Sequence, residues 1–115
     1  MKENPWNIEY IEEAEKDLEA FDYSIQKIIL GGIIKASANP LPRSEGGYGY
    51  PLGKRAGGNL TGFLKIKYRG IGIRVVYSLE RNEREMKILV VDKREDSKCY
   101  DKAVKRRRKY FKKNK

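Results

Sequence analysis

The 115-residue sequence has no histidine, only one cysteine and no long hydrophobic run. A single cysteine cannot form an internal disulfide, and without histidine as a base Cys99 is a poor nucleophile, so we interpret it as a packing residue. The same two shortages exclude a zinc or haem site, and we expect no metal and no cofactor. The longest apolar run, residues 28–34, is far shorter than the roughly 20 residues of a membrane span. No apolar signal segment begins the sequence, so we expect a cytoplasmic protein.

Acidic residues are scarce in the second part of the chain. Residues 1–45 hold 5 Lys or Arg and 9 Asp or Glu, whereas residues 46–115 hold 21 and 7, and the net charge is +10. This split predicts a basic surface and a polyanionic partner, which the charge alone allows to be nucleic acid, an anionic membrane surface or an acidic protein. A chain of this length is expected to form one domain, residues 1–115.

The pattern over residues 61–100 predicts a three-stranded antiparallel meander. Three runs rich in β-branched and aromatic residues are separated by turn residues at 70–72 and 80–85. Lysines on one strand are commonly a solvated face, but here cations recur on all three strands, which favours an anion-binding site. The cations that form this pattern are Lys65, Lys67, Arg69, Arg74, Lys93 and Arg94.

The residues before the meander predict a short strand and two helices. Alternation at Trp6, Ile8 and Tyr10 indicates the strand, and helical spacing follows it. We expect the two helices to form an αα-hairpin that covers the core side of the sheet, with Asp22 capping the second helix. The apolar stripe of that second helix is expected at Ile25, Ile28, Ile29, Gly32 and Ala36, where the glycine would allow close packing on the sheet.

Residues 43–59 are rich in glycine but match no phosphate-binding loop. Tyr48 and Arg55 stand where a Walker A motif requires Gly and Ser or Thr. We interpret the stretch as a flexible surface loop. The alternative is that Tyr48, Tyr50, Lys54 and Arg55 guide a nucleic-acid strand toward the sheet.

A last helix is predicted after the meander, capped by Asp96 or Ser97. Its expected contact positions include Tyr100 and Ala103. The basic run at residues 105–109 surrounds this stripe with charge, and it is either a solvated tail or a surface that touches RNA.

Three blocks of the sequence together resemble the core of the RelE toxins, which belong to the RelE/ParE superfamily of bacterial type II toxin–antitoxin systems. The blocks are residues 64–69 (LKIKYR), residues 72–77 (GIRVVY) and residues 93–95 (KRE) followed by Tyr100. The resemblance runs from about residue 63 to residue 107. It implies an α+β fold with an N-terminal strand and an αα-hairpin packed on a mainly antiparallel four-stranded sheet, and a C-terminal helix.

The resemblance also implies an activity. RelE toxins enter the ribosomal A site and cut the bound mRNA, through attack of a ribose 2′-OH on the adjacent phosphate. The chain would then be a metal-independent endoribonuclease. By motif, the catalytic residues would be Lys65, Lys67, Arg74, Arg94 and Tyr100. Further RNA contacts are expected from Lys54, Arg55, Arg69, Lys93, Arg106, Arg107 and Arg108.

Without histidine, the proton transfers of this reaction fall to lysine, tyrosine or a carboxylate. Close like charges make a lysine easier to deprotonate, and the cation cluster would supply such a field. We assign Lys67 as a candidate base, shared with or replaced by Tyr100, and Lys65 or Arg94 as a candidate acid. Arg74 would clamp the phosphate, because a planar guanidinium binds two phosphate oxygens.

The implied partners are mRNA, the ribosome and a cognate antitoxin, and no membrane is expected. The antitoxin would be acidic and encoded by an adjacent gene, and DNA would be contacted only indirectly through an antitoxin complex. Two other interpretations share these features. A ParE-like toxin would have the same fold and act on DNA gyrase, and a non-catalytic RNA-binding or ribosome-binding domain would have the same charge.

Overall fold

The computed structural model describes residues 5–55, 58–68, 70–93 and 98–113, and within them it leaves the side chains at 53–55, 58–61, 98–99 and 110–113 undescribed. Within these residues the fold is α+β, as the sequence predicts, with three α-helices and one sheet. None of the described helices is long and apolar enough to cross a bilayer. The elements in chain order are β1 (Asn7–Tyr10), α1 (Glu12–Glu19), α2 (Tyr23–Ser37), a 3₁₀ turn (Arg43–Glu45), β2 (Tyr50–Arg55), β3 (Gly58–Tyr68), β4 (Ile73–Glu80), β5 (Glu85–Lys93) and α3 (Lys98–Lys113).

The sheet has five strands in the order β1-β5-β4-β3-β2, one more than the sequence predicts. The extra strand is β2, which forms within the glycine-rich stretch interpreted as a loop and pairs antiparallel with β3 from Tyr50↔Lys65 to Arg55↔Gly58. The unpaired edge of β3 offers backbone groups that a neighbouring extended segment satisfies, and Pro51 is tolerated because β2 is an edge strand. At the other edge, β1 runs parallel to β5, and all remaining pairs are antiparallel.

Helix α2 lies on the sheet with a phase that differs from the predicted stripe. Its buried positions include Ile29, Ile33 and Ala36, whereas Ile28 is 49% exposed. The prediction for Gly32 is confirmed, because a Cβ there would collide with the ring of Tyr68 on β3. The expected capping role of Asp22 is wrong in its chemistry: Asp22 occupies the N-cap position, but its side chain makes no capping hydrogen bond.

Helices α2 and α3 cover opposite faces of the sheet. The hydroxyl of Tyr68 donates to the carbonyl of Ile29 in α2 at 2.6 Å, whereas the amine of Lys65 donates to Tyr100 in α3 at 3.2 Å. Positions 65 and 68 differ by an odd number along β3, so their side chains point to opposite faces. The prediction that the second helix packs on the core side of the sheet is therefore confirmed for α2, and α3 covers the opposite face.

Polar contacts with α1 and β5 anchor helix α3. Helix α1 follows β1 along the edge of β5, where the carboxylate of Asp17 accepts from the backbone N–H of Val91 at 3.0 Å. Arg106 of α3 donates to both oxygens of Asp17, at 2.6 and 3.2 Å, and to the carbonyl of Leu89 at 2.9 Å. Lys102 donates to the carboxylate of Asp92 at 2.7 Å. These contacts fix where α3 presents Tyr100.

Candidate active site

Lys65 is a buried cation on β3. Strand alternation places it on the α3 face of β3 with Phe63 and Lys67. Its side chain is only 7% exposed, which is rare for lysine unless the ammonium has a partner. The ammonium donates to the hydroxyl of Tyr100 at 3.2 Å. The Lys65 amine is therefore held in one place beneath α3.

Arg74 brings a second cation to the same oxygen. It lies on β4, directly opposite Lys67 of β3. Its Nη1 donates a hydrogen bond to the hydroxyl of Tyr100, and its guanidinium carbon lies 5.7 Å from the centre of that ring. The side chain is half-buried, so part of the guanidinium remains open to an incoming group.

Tyr100 is the point where these two cations meet. It lies near the start of α3 and is 6% exposed, with the Lys65 ammonium 5.7 Å from its ring centre. A phenolic oxygen has two lone pairs, and hydrogen bonds from Lys65 and Arg74 use both of them. The O–H hydrogen therefore points toward neither cation. Two positive charges around one oxygen form a site that can bind an oxyanion such as phosphate.

Asp92 is the acidic residue placed beside this cluster by the sheet register, opposite Arg74 on β5. Its carboxylate is engaged by Lys102 of α3 at 2.7 Å, and this hydrogen bond raises the pKa of the Lys102 ammonium. Neither Asp92 nor Lys102 was predicted from the sequence as a site residue. An acidic side chain at the end of a strand in a strongly basic region was the available signal.

Lys67 does not join Lys65 and Arg74 at Tyr100. Its side chain is exposed, and its amine lies 4.6 Å from the ring centre of Tyr50 on β2. Arg43 approaches the same ring at 4.8 Å. The structure therefore places Lys67 beside the cluster by backbone register, with its amine turned toward β2.

The other predicted RNA contacts differ in their surroundings. Arg107 packs over the ring of Phe63 at 4.7 Å, on the same face as Lys65, and Lys93 and Arg108 are exposed. Arg106 is hydrogen-bonded to Asp17 and Leu89 and its side chain is only 15% exposed, so we assign it a structural role, and its RNA contact stays a prediction. Arg69 and Arg94 lie outside the described residues, and Lys54 and Arg55 are described only as backbone of β2.

The fold is shared with solved toxin structures. A RelBE toxin–antitoxin complex from Mycobacterium tuberculosis is 24% identical over 80% of this chain and 94% of that chain, with a TM-score of 0.63. A double arginine-to-alanine mutant of the E. coli toxin RelE in its free state is 21% identical over 90% and 98%, with a TM-score of 0.68. An archaeal RelE–RelB complex from Pyrococcus horikoshii is 17% identical over 81% and 99%, with a TM-score of 0.57.

These similarities are similarities of fold. No model of a protein family and no curated protein matches the sequence. The chain has the RelE fold over nearly the full length of those toxins, so the resemblance carried by the three sequence blocks is confirmed at the level of the fold.

Proposed function

We propose that this chain is the toxin of a type II toxin–antitoxin system and an endoribonuclease that cleaves mRNA bound to the ribosome. The observation that carries the proposal is the convergence of Lys65 and Arg74 on the hydroxyl of Tyr100. A solvated cationic face does not bury a lysine, and it does not direct two cations to one oxygen. The RelE fold supplies the second support.

The proposed reaction is attack by a ribose 2′-OH on the adjacent phosphate, which releases a 5′-OH and leaves a 2′,3′-cyclic phosphate. Negative charge develops on the phosphate oxygens during this step, and preorganised cations stabilise it. Arg74 would bind those oxygens through its fork of N–H donors, and Lys65 would add a second positive charge from beneath α3. Neither cation would need to move far from its contact with Tyr100.

The proton transfers would use groups that already lie within hydrogen-bond reach of one another. The Lys65 ammonium can deliver a proton to the leaving oxygen directly or through Tyr100, 3.2 Å away. The acceptor for the 2′-OH proton would be the neutral amine of Lys67, or the phenolate of Tyr100 once one of the two cations has left its oxygen for the phosphate. Lys67 would have to turn from the ring of Tyr50, which its flexible stem allows.

Two substitutions at Lys67 separate proton transfer from charge. Arginine keeps the positive charge but does not give up a proton at working pH. If Lys67 is the base, Lys67→Arg and Lys67→Ala lower the single-turnover cleavage rate on programmed ribosomes to a similar extent. Wild-type cleavage by Lys67→Arg would show that the position supplies charge alone, and the role of base would pass to Tyr100.

The proposed partners are mRNA on the ribosome and an acidic antitoxin encoded by an adjacent gene. The solved relatives include RelE bound to RelB and to a RelB peptide. In this chain, residues 46–115 hold 21 Lys or Arg against 7 Asp or Glu, and an acidic segment would complement that surface. DNA would be reached only through the antitoxin complex, and the protein would act in the cytoplasm without a membrane partner.

Translating ribosomes provide the test. The purified protein is added to ribosomes that carry a defined message, and the 5′ ends of the products are mapped, with Arg74→Ala run in parallel. Cleavage within the A-site codon that depends on Arg74 supports the proposal. Binding to ribosomes without any cut would indicate a non-catalytic domain, and intact message together with inhibited DNA gyrase would indicate a ParE-like toxin.

A further inference from the structure

A groove lies at the edge of β3 that faces β2 and α2, around that edge from the Tyr100 cluster on the α3 face. It encloses about 330 Å³, a volume in the range of small-molecule sites. Its lining mixes aromatic rings and amines: Gly32, Lys35 and Ala36 of α2, Tyr48, Tyr50 of β2, and residues 66–68 of β3. We call this space the α2–β3 groove. Of the residues that line it, only Lys67 also belongs to the predicted catalytic set.

The groove exists because β2 begins at Tyr50 and does not extend alongside the last residues of β3. Pairing between β2 and β3 reaches Tyr50↔Lys65 and goes no further, so residues 66–68 of β3 have a strand neighbour only on the β4 side. Backbone N–H and C=O groups along such an edge are available for hydrogen bonds. The edges of an unpaired nucleobase carry donors and acceptors that such groups can bind.

Tyr48 provides a flat apolar surface at this groove. Its side chain is 50% exposed, so the ring is accessible to a ligand. The amine of Lys35 lies 5.9 Å from the ring centre, at the outer limit of a cation–π contact, so a base can displace it. Lys35 and Lys67 also place two positive charges at the groove.

We propose that the α2–β3 groove is a nucleobase subsite, in which an unpaired base of the RNA strand stacks on Tyr48, while the strand passes around the edge of β3 to the phosphate held by Lys65 and Arg74 on the other face. The proposal rests on the proposed ribonuclease function and extends it to substrate positioning. Lys67 connects the two places, since it lines the groove and is two residues from Lys65 on β3. That separation is about 6.5–7 Å, close to one nucleotide step along an extended strand. The groove would therefore bind a base one or two nucleotides from the cut.

The test uses ribosomes programmed with a short message whose A-site codon is 2′-O-methylated, so that it cannot be cut. Binding of fluorescently labelled protein is measured by anisotropy for the wild type, Tyr48→Leu and Tyr48→Phe. Tyr23→Leu is the matched control, because Tyr23 is also exposed and also has a lysine amine over its ring, that of Lys27 at 4.8 Å. Tyr23 lies about 13 Å along α2 from Gly32, outside the groove.

A second series replaces one nucleotide of the message at a time with an abasic residue. Loss of one stacked base weakens binding about fivefold to hundredfold. We expect Tyr48→Leu to weaken binding by such a factor, Tyr48→Phe to retain it, and one abasic position to reproduce the loss. At that position Tyr48→Leu should cause no further loss, because the partner of the ring is already absent.

Three outcomes would overturn the subsite. Equal binding by Tyr48→Leu and Tyr23→Leu would show that the groove is not used. A loss with Tyr48→Leu that is the same on every abasic message would show that Tyr48 contacts something other than a base. In both cases cleavage of an unmodified message by the wild type would leave the proposed function intact. If the wild type neither binds nor cuts programmed ribosomes, the subsite and the ribonuclease proposal fail together.

Discussion

The tyrosines on the two faces of the sheet use their hydroxyls in opposite ways. On the face under α2, Tyr68 donates to the carbonyl of Ile29 at 2.6 Å, and Tyr77 donates to the carbonyl of Pro40 at 2.8 Å. Burial raises the pKa of both phenols above the ordinary value, so both remain protonated donors. Each hydroxyl satisfies a backbone carbonyl, which is a structural task.

On the face under α3, the hydroxyl of Tyr100 accepts from Lys65 and Arg74. Tyr100 is 6% exposed and Tyr77 is fully buried, so burial does not separate the two roles. The partners do, because a carbonyl needs a donor to be stable, whereas two cations around one oxygen keep positive charge available to a ligand. In this protein the buried tyrosine at the candidate active site is the one whose hydroxyl accepts hydrogen bonds from two cations.

The largest expected effect on the cleavage rate comes from removing Arg74, the more exposed of the two cations at Tyr100. Arg74→Ala takes the guanidinium from Tyr100 and leaves the core face of β4 unchanged. We expect cleavage on programmed ribosomes to fall ten-fold to a thousand-fold, on the order of 1.4–4 kcal/mol of transition-state stabilisation. The measurement is the single-turnover rate at saturating protein.

Arg81→Ala is the matched control for Arg74→Ala. Arg81 is an exposed arginine that forms a two-point ion pair with Glu45, away from Tyr100. The Arg81→Ala substitution also removes one positive charge from the chain, but it should leave the cleavage rate near that of the wild type. Equal losses in the two variants would mean that net charge, and not the Tyr100 cluster, determines activity.

The next effect concerns how each helix is held on its face. Helix α2 packs through Ile29 and Ile33, whereas α3 is tied to α1 by the ion pair of Arg106 with Asp17. Both side chains of this pair are only 15% exposed, and Arg106→Ala leaves the Asp17 carboxylate without its counter-charge. We expect a loss of about 2–3 kcal/mol in the free energy of unfolding, measured in urea.

The control for Arg106→Ala is Lys109→Ala one turn further along α3. Lys109 pairs with Glu13 of α1, but its side chain is 54% exposed. An exposed pair contributes at most about 1 kcal/mol, so the two variants should differ clearly. A small effect for Arg106→Ala would mean that the buried ion pair does not anchor α3.

The third prediction compares the loss of the hydroxyl at Tyr77 with its loss at Tyr100. Tyr77→Phe removes a buried donor from the carbonyl of Pro40, and we expect a loss of about 1–2 kcal/mol in stability with unchanged cleavage per folded molecule. Tyr100→Phe removes the acceptor shared by Lys65 and Arg74, and we expect the cleavage rate to fall roughly ten-fold or more, about 1.4 kcal/mol. Urea unfolding and cleavage are measured on both variants. The comparison fails if Tyr77→Phe alone lowers the cleavage rate, or if Tyr100→Phe leaves it unchanged.

The sequence predicts the strand faces well, because side-chain alternation is local. Lys65 and Lys67 are on one face with the period of two, and Arg74 comes opposite Lys67 once the meander is recognised. The burial of Lys65 is not local, since it depends on where α3 lies across the sheet. Lys65 and Lys67 have the same pattern in the sequence, yet one is 7% exposed beneath Tyr100 and the other lies exposed beside Tyr50.

Two errors in the predicted fold also arise from contacts distant in sequence. Residues 43–59, in which β2 forms, contain six glycines and Pro51, which indicate a loop, but the free edge of β3 stabilises β2 as a strand. In α2 the choice between Ile28 and Ile29 requires the phase of the helix on the sheet. The ring of Tyr68 packs against Gly32, and this contact fixes which side of α2 faces the sheet.

The smallest expected effect is a pH dependence confined to the α3 face. The hydrogen bond from Lys102 to Asp92 raises the pKa of the Lys102 ammonium above its ordinary value. A group whose pKa is raised by folding stabilises the fold fully below its unfolded pKa, 10.5, and this stabilisation is lost as pH rises through the higher folded pKa. The two side chains are 44% and 26% exposed, so solvent screening limits the contribution to less than about 1 kcal/mol.

Lys102→Gln isolates this pair from the other groups that titrate at alkaline pH. We expect wild type and variant to differ in the free energy of unfolding below pH 10.5, and the difference to disappear above the folded pKa of Lys102. Under α2, the raised pKa values of Tyr68 and Tyr77 keep both donors protonated over the same range, so that face should not loosen. Urea unfolding at a series of pH values measures the difference. A difference that persists unchanged at alkaline pH would show that the glutamine acts through packing, and that the charge of Lys102 does not hold α3 to β5.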